Sequence, residues 1–358
     1  VPMPLGTAIY NGVYWTLPLE LSFYLALPWM ILFYRWAGIW PLLLGSLGAL
    51  LLLLPKGVPL RVLGWPLLLL AVWPPQDPVP EGEVEIWQLD VGQGLSFILR
   101  TRDHAMLYDA GARVADFDLG ERVVLPTLHK LGVRQLDLML LSHAHADHAG
   151  GALAVQRGLP VARVVAGEAE AAPAQLQAQA CASGERWQWD SVQFSLWRWD
   201  QAGDSNQRSC VLRVEAGGET LLLTGDIDAA AERAWLRDPM ARQVDWLQAP
   251  HHGSRTSSSQ ALLEVTRPGD VLISRGRHNA FGHPHPQVLA RYQALGVGVH
   301  DSAVQGAVRL LLGRFGSGWD LYEARKHIAQ SPVRRFPLKE WRGEDLTAQT
   351  VLVHAEQG

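Results

Sequence analysis

Hydrophobic and polar positions divide this chain into two unlike stretches. Up to Trp73 apolar residues run almost unbroken in three blocks, Val13 to Tyr34, Ile39 to Leu54 and Val58 to Trp73, separated by breaks such as Arg35-Trp36-Ala37-Gly38 and Pro55-Lys56-Gly57. A hydrocarbon layer about 30 Å thick takes about 20 apolar helical residues to cross. The first block is long enough to span alone. The second and third are slightly short and carry Pro41, Pro59, Pro66 and several glycines, which predicts segments that are tilted, kinked or partly re-entrant. A cleaved signal peptide is excluded, because there is no basic n-region, Glu20 interrupts the first run, and two more apolar runs follow. Glu20 reads as a residue near a helix end or pointing toward neighbours absent from this sequence, the alternative being a mark of a polar pathway. Pro74 to Gly82 holds four prolines and reads as an extended linker.

Beyond the linker the pattern changes to short strands with loops and helices between them. Val84 to Leu89 alternates apolar and polar with period two, and Leu95 to Arg100 and Ala105 to Tyr108 follow as strands able to pair with it. Leu136 to Leu141 is a continuous apolar run, as in a strand buried on both faces. Val211 to Val214 and Thr220 to Leu223 form a hairpin across Ala216-Gly217-Gly218, and Val244 to Leu247, Val271 to Ser274, Val297 to His300 and Ala307 to Leu312 add strands. Helices are expected at Arg122 to Leu131, Asp228 to Leu236, Ser259 to Val265 and Pro286 to Leu295. Trp187-Gln188-Trp189 and Trp197-Arg198-Trp199 read as a strand pair whose aromatics cover a sheet edge. The organisation is thus residues 1–73 as membrane segments, 74–82 as linker, 83–320 as an α/β domain and 321–358 as a basic tail. The Val at position 1 suggests a piece of a longer membrane protein.

Composition sharpens this division. Among 358 residues, 18% are charged and the net charge is −4, yet only Glu20, Arg35, Lys56 and Arg61 are charged up to Trp73. A uniform soluble globule, a disordered chain and a collagen-like fibre are all excluded. With so slight an acidic balance, contact with nucleic acid would rest on a local patch. Arg325-Lys326-His327, Arg334-Arg335 and Lys339 make such a patch, suited to a DNA backbone or to anionic lipid. Cys181 and Cys210 are too few for a disulfide framework; they either pair once, in an oxidising compartment, or stay as two thiols.

The chemistry concentrates in Ser142-His143-Ala144-His145-Ala146-Asp147-His148, directly after the buried strand. Imidazole and carboxylate together suit zinc, manganese or iron rather than calcium. A loop leaving a strand end can turn His143 and His145 to one metal and Asp147 and His148 to a second. Asp226 ends Leu221-Leu222-Leu223-Thr224-Gly225 and reads either as a carboxylate bridging two ions or as a cap for the helix that follows. Asp109 closes another strand and reads as a carboxylate orienting a ligand histidine. His251-His252-Gly253-Ser254 and His283 also follow strand ends and point to the same site.

Together these motifs resemble the metallo-β-lactamase superfamily, an αββα sandwich with metals at one edge between two sheets. Leu89-Asp90-Val91-Gly92-Gln93-Gly94, Tyr108-Asp109-Ala110-Gly111, Leu223-Thr224-Gly225-Asp226-Ile227, Ala249-Pro250-His251-His252-Gly253-Ser254 and Asn279 to Pro284 are similar to the C-terminal domain of the ComEC family of DNA-internalization competence proteins. Leu54 to Arg61 and the run after it resemble that family's last membrane segments, so the resemblance covers about residues 39–315. It implies α-helical transmembrane segments followed by the sandwich, in a multi-pass protein of the bacterial inner membrane. Its partners would be DNA, membrane lipid, the channel region of the same protein and other DNA-uptake proteins. It also implies two divalent ions, zinc or manganese, held by His143, His145, Asp147, His148, Asp226 and His283, with Asp109 behind them. The expected chemistry is hydrolysis of DNA phosphodiesters in the strand not transported, with Asp147 orienting the nucleophile and His251 or His252 protonating the leaving group. Asn206, Ser209, Ser254 and Arg255 are candidate substrate contacts, with Arg208 a further phosphate clamp. The family's Asn-Asp-x-Ser reads here Asn206-Gln207-Arg208-Ser209, and no histidine occurs between Ala149 and Gly225, where the superfamily usually supplies one. That position falls to an amide or a water. Two other readings fit the same residues: a non-catalytic channel component with a vestigial metal site, and a membrane-tethered hydrolase of another ester.

Overall fold

Strand alternation decides the architecture of the larger part of this protein. The computed structural model describes residues 39–53, 62–72 and 78–313, and the chain divides into two units, Val1–Asp77 and Pro78–Gly358. The first apolar block, Glu20, residues 74–77 of the linker and the basic tail lie outside the described residues.

In the first unit, helix α1 (Ile39–Leu53) and helix α2 (Gly64–Val72) pack together with Gly48 against Gly64. The two helices have 15 and 9 residues, and no helix among the described residues is long and apolar enough to cross a membrane.

The second unit runs β1 (Val84–Gln88), β2 (Phe97–Arg100), β3 (Ala105–Tyr108), the small hairpin β4 (Arg113–Val114) and β5 (Phe117–Asp118), then α3 (Leu125–Lys130) and β6 (Leu138–Leu141). Next come α4 (Ala146–Ala149), α5 (Ala152–Gly158), β7 (Val164–Ala166), β8 (Gln179–Ala180), β9 (Arg186–Trp189), β10 (Val192–Trp197), β11 (Val211–Ala216) and β12 (Glu219–Leu223). The chain then passes through α6 (Ala229–Trp235), β13 (Trp246–Gln248), α7 (Gln260–Thr266), β14 (Asp270–Ile273), α8 (Pro286–Ala294), β15 (Gly298–Asp301), α9 (Ser302–Gln305) and β16 (Val308–Leu312). One seven-stranded sheet has the order β16-β1-β2-β3-β6-β7-β8, the other β15-β14-β13-β12-β11-β10-β9.

Successive side chains of a strand face opposite ways, so each sheet buries two faces. Ile86, Phe97, Leu140, Phe194, Leu212, Leu221 and Trp246 meet in a core between the sheets. The alternate residues Ile98, Leu107, Met139 and Leu141 pack with Leu128 and Val155 on the outside of the first sheet. Leu222, Leu247 and Ile273 pack with Trp235, Leu263 and Tyr292 on the outside of the second. Helix, sheet, sheet, helix is the resulting layer order. The aromatic segment differs from its predicted pairing: β9 pairs with Val192–Trp197, so Trp189 lies opposite Val192 and Trp187 opposite Phe194. Trp187 and Phe194 stack at 5.2 Å and, with Trp189, cover the inter-sheet core at the sheet edge. Cys181 and Cys210 are joined in a disulfide, their Cα atoms 6.0 Å apart.

The strands that matter for the site are parallel: β3 beside β6 and β6 beside β7 in one sheet, β12 beside β13 and β13 beside β14 in the other. Their C-terminal ends release the loops that hold most of the side chains described next, while Asn206, Arg208 and Ser209 come from the loop between the antiparallel β10 and β11.

Candidate functional site

Ser142 follows β6 and organises the first half of the site. Its backbone N–H and its Oγ donate to the two oxygens of Asp109 at 2.6 and 2.7 Å. The same Oγ lies 3.0 Å from His143 Nδ1 and 3.2 Å from His148 Nδ1. Asp109 Oδ2 is also 2.7 Å from His148 Nδ1. With both Nδ1 atoms engaged, His143 and His148 are left with Nε2 as the free donor. His145 caps α4 in an extended conformation, and α4 carries Asp147 and His148 one after the other. His145 is exposed, its ring 4.6 Å from that of His143.

Sheet two supplies the opposing half. Gly225, at φ +57°, turns the chain out of β12 against Ser142, where a Cβ would sit 2.7 Å from the Ser142 Cβ. The turn presents Asp226, whose backbone N–H donates to Ser209 Oγ at 3.1 Å. Of the two roles open to Asp226, capping belongs instead to Asp228, which accepts from the amides of Ala230 and Ala231. After β13 come His251 and His252, both in the left-handed region. His252 Nδ1 donates to Ser274 O at 2.8 Å, which leaves Nε2 facing the carboxylates.

The free donors converge. His148 Nε2 lies 3.2 Å from Asp226 Oδ1 and 3.8 Å from Asp147 Oδ2, and His252 Nε2 lies 3.4 Å from Asp147 Oδ2 and 3.5 Å from Asp226 Oδ2. Two overlapping sets result, His143 with His148 and Asp226, and Asp147 with His148 and His252, each with ligand atoms within 4.8 Å of one another. His143 Nε2 is buried without a hydrogen-bond partner, a costly state unless a cation takes up its lone pair, and Asp226 Oδ1 is buried facing His148 Nε2. Nitrogen and carboxylate donors at this spacing fit a divalent transition metal. His283 is held through its backbone by Asn279 and stands apart from both sets, its ring 5.7 Å from that of His251 and 6.2 Å from that of His252.

The electrostatics follow this packing. Burial alone would strip the proton from His148, but Asp226, Asp147 and Asp109 outweigh it and hold the imidazole well above its ordinary value. His252 is raised in the same way, burial being overcome chiefly by Asp226. Burial, with His148 adding to it, pushes His143 well below its usual range. Burial opposes ionisation of Asp226 and Asp147 too, yet His148 and His252 keep both carboxyls below the usual carboxylate range. Burial lowers His251, and lowers His283 to about 4.

The candidate substrate contacts separate on exposure. Ser209 is fully buried, 3.4 Å from His143 Nδ1, and so braces donors instead of meeting solvent. Arg208 is drawn to Glu170 at 3.4 Å and Glu168 at 3.6 Å, away from a clamping role. Ser254 is turned to Thr256 at 3.1 Å, while Arg255 is exposed. Asn206 lies in a turn before Ser209, with its side-chain oxygen buried. Sequence reasoning missed Ser142 and Glu168. Glu168 follows β7 and accepts the Ala144 amide at 3.1 Å, between the two histidines. The Ser142 position beside the cluster was a usable signal; nothing near Glu168 in sequence marked it.

Residues 89–277 match the family described as the metallo-beta-lactamase superfamily. The chain belongs to that superfamily. It is 40% identical over 282 residues to "Competence protein ComA" of Neisseria gonorrhoeae, covering 77% of this chain and 39% of that protein. To "Recombination protein 2" of Haemophilus influenzae it is 34% identical over 229 residues, 63% of this chain and 29% of that one. Relatives of these names support its place among ComEC-type proteins, with a metallo-beta-lactamase domain. The chain spans less than two fifths of the length of these relatives. Among solved structures, the metallo-beta-lactamase fold protein YhfI of Bacillus subtilis is similar over 64% of this chain and 99% of its own, at 12% identity and a TM-score of 0.44.

Proposed function

We propose that this protein acts in DNA uptake at the bacterial inner membrane, as a multi-pass component whose sandwich domain hydrolyses phosphodiesters in the non-transported strand. One observation carries the reading: two overlapping donor sets, with His143 Nε2 buried and partnerless, in a chain 40% identical to a competence protein. In this reading Asp147, His148 and His252 would hold one divalent ion and His143 with His145 a second, with Asp226 within reach of both sets, and Asp109 fixes the His148 ring. Zinc or manganese bound there would supply Lewis acidity, activating water and offsetting charge on the phosphoryl oxygens.

The remaining residues handle the proton and the substrate. His252 is 1% exposed and committed to the donor set, so leaving-group protonation falls to His251, whose side chain is 25% exposed. An anionic phosphodiester beside His251 counters the burial that lowers its proton affinity. Arg255, exposed three residues past His252, is placed to meet a phosphate.

The test uses the full chain in detergent, stripped of metal and re-supplied with manganese or zinc, on labelled single- and double-stranded DNA. Cleavage should appear only with metal and fall at least about a thousandfold in Asp147→Ala, the scale of losing a principal catalytic group. Stoichiometric metal binding with no cleavage of either DNA would sink the nuclease reading.

A further inference from the structure

The His143 side of this centre is short of protein donors. His143 and Asp226 are buried there, His145 is exposed beside them, and no histidine occurs between Ala149 and Gly225 to complete the set. We propose that the side-chain oxygen of Asn206 is the missing ligand; the assignment rests on the reading that the site holds two divalent ions.

The first ground is an unused acceptor. Asn206 Oδ1 is buried and accepts no hydrogen bond, although burying an amide oxygen without a partner is costly. Its neighbours in the turn are all spoken for. Gln207 gives its amide nitrogen to Asp228 at 2.9 Å and its oxygen to the Gly203 amide at 3.2 Å. Asp204 accepts the Gln207 amide at 3.2 Å, and Ser205 donates to Glu168.

The second ground is placement. Both flanks of Asn206 are fastened to the histidine loop. On one side Ser205 Oγ donates to Glu168 Oε2, the same oxygen that accepts the Ala144 amide, between His143 and His145. On the other, Ser209 Oγ lies 3.4 Å from His143 Nδ1 and takes the Asp226 amide at 3.1 Å. Ser209 N–H donates back to Asn206 O at 3.1 Å and closes the turn. Gly167 lets these loops meet: a Cβ there would stand 2.0 Å from Ser142 O and 2.4 Å from Arg208 O.

The third ground is chemical. An amide oxygen is a neutral, hard acceptor, the kind of donor that divalent cations take alongside carboxylate. Facing a phosphate it would set acceptor against acceptor, so a substrate contact through this atom is disfavoured.

Asn206→Ala and Asn206→His in the full chain test the assignment by titration with manganese and with cobalt, against a competing chelator. Asn206→Ala should weaken one of two ions by about tenfold or more, the scale on which donor-shell changes act, and leave the other unchanged. Asn206→His should restore that ion and shift the cobalt absorption bands, as nitrogen replaces oxygen. Unchanged affinity for both ions in Asn206→Ala overturns the proposal. So does equal loss in Asn206→His, since a purely structural amide would not be rescued by an imidazole. A wild-type protein that binds two ions yet cuts no DNA defeats the nuclease reading alone, and unchanged binding in Asn206→Ala with cleavage intact defeats the ligand assignment alone.

Discussion

His251 and His252 hold φ of 51° and 54° consecutively, a conformation that costs a non-glycine residue about 1–2 kcal/mol each. The strain points both imidazoles across the sheet edge. Replacing His251 with glycine should therefore raise unfolding free energy by about 1 kcal/mol while removing DNA cleavage, a split read by denaturant titration beside a nuclease assay. Asp109→Asn should act through His148: the ring loses its carboxylate anchor, and metal affinity or turnover falls about 10–100-fold, measurable by chelator competition. His148 and His252 are both held above the ordinary imidazole value by their carboxylate neighbours, so a cation binding there competes with protons. Affinity should thus fall as pH drops from 8 toward 6, with protons released on binding, as calorimetry in buffers of different ionisation heat would show. At this scale the sequence displayed His143, Asp147, His148 and Asp226, because ligand chemistry needs particular residue types close together, whereas His252, read as an acid, joins a donor set and His283 stands apart from both. The sequence hid Ser142 and Glu168, which act by bracing, a role that many polar residues can fill.

Elements were legible where one face is apolar and the other not. The strand Ala105–Tyr108 falls where it was expected, as an apolar run buried throughout, and the helix Pro286–Ala294 ends one residue before its predicted Leu295. The expected helix from Arg122 to Leu131 divides into a π turn, Gly120–Val124, and α3, a change of hydrogen-bond register that side-chain pattern does not encode. Helices α4 and α5 were missed: α4 is a single turn of four residues inside the ligand cluster, too short for any period to show. Short strands β7 and β8 escaped for the same reason. The end of β7 carries a sharp prediction. Gly167→Ala would drive a methyl into Ser142 O and Arg208 O, and should cost about 3 kcal/mol of stability together with metal binding, measured by urea unfolding and metal titration on one sample.

Across the whole molecule, the sandwich was legible only through the resemblance that the ligand motifs carry, since strands of this length do not by themselves fix a layer order. The disulfide was not legible, since sequence leaves the pairing of two lone cysteines open. It joins Cys181, just after β8 of the first sheet, to Cys210, just before β11 of the second, and closes a loop with a sequence separation of 29. A loop of that length is worth about 3.5 kcal/mol in restricted unfolded states. The Cys181→Ser, Cys210→Ser pair should lose about that much in denaturant unfolding, and Ser209, beside Cys210, links that loss to the His143 ring. The ligand set crosses the same divide: His143, Asp147 and His148 leave the first sheet, Asp226 and His252 the second. A cation shared between them is a rivet through the open rim of the sandwich. Chelation should act there as a denaturant with an address, quickening amide deuteration at Asp226 and His252 while Leu212 and Val214, in the strand interior, keep their hydrogens.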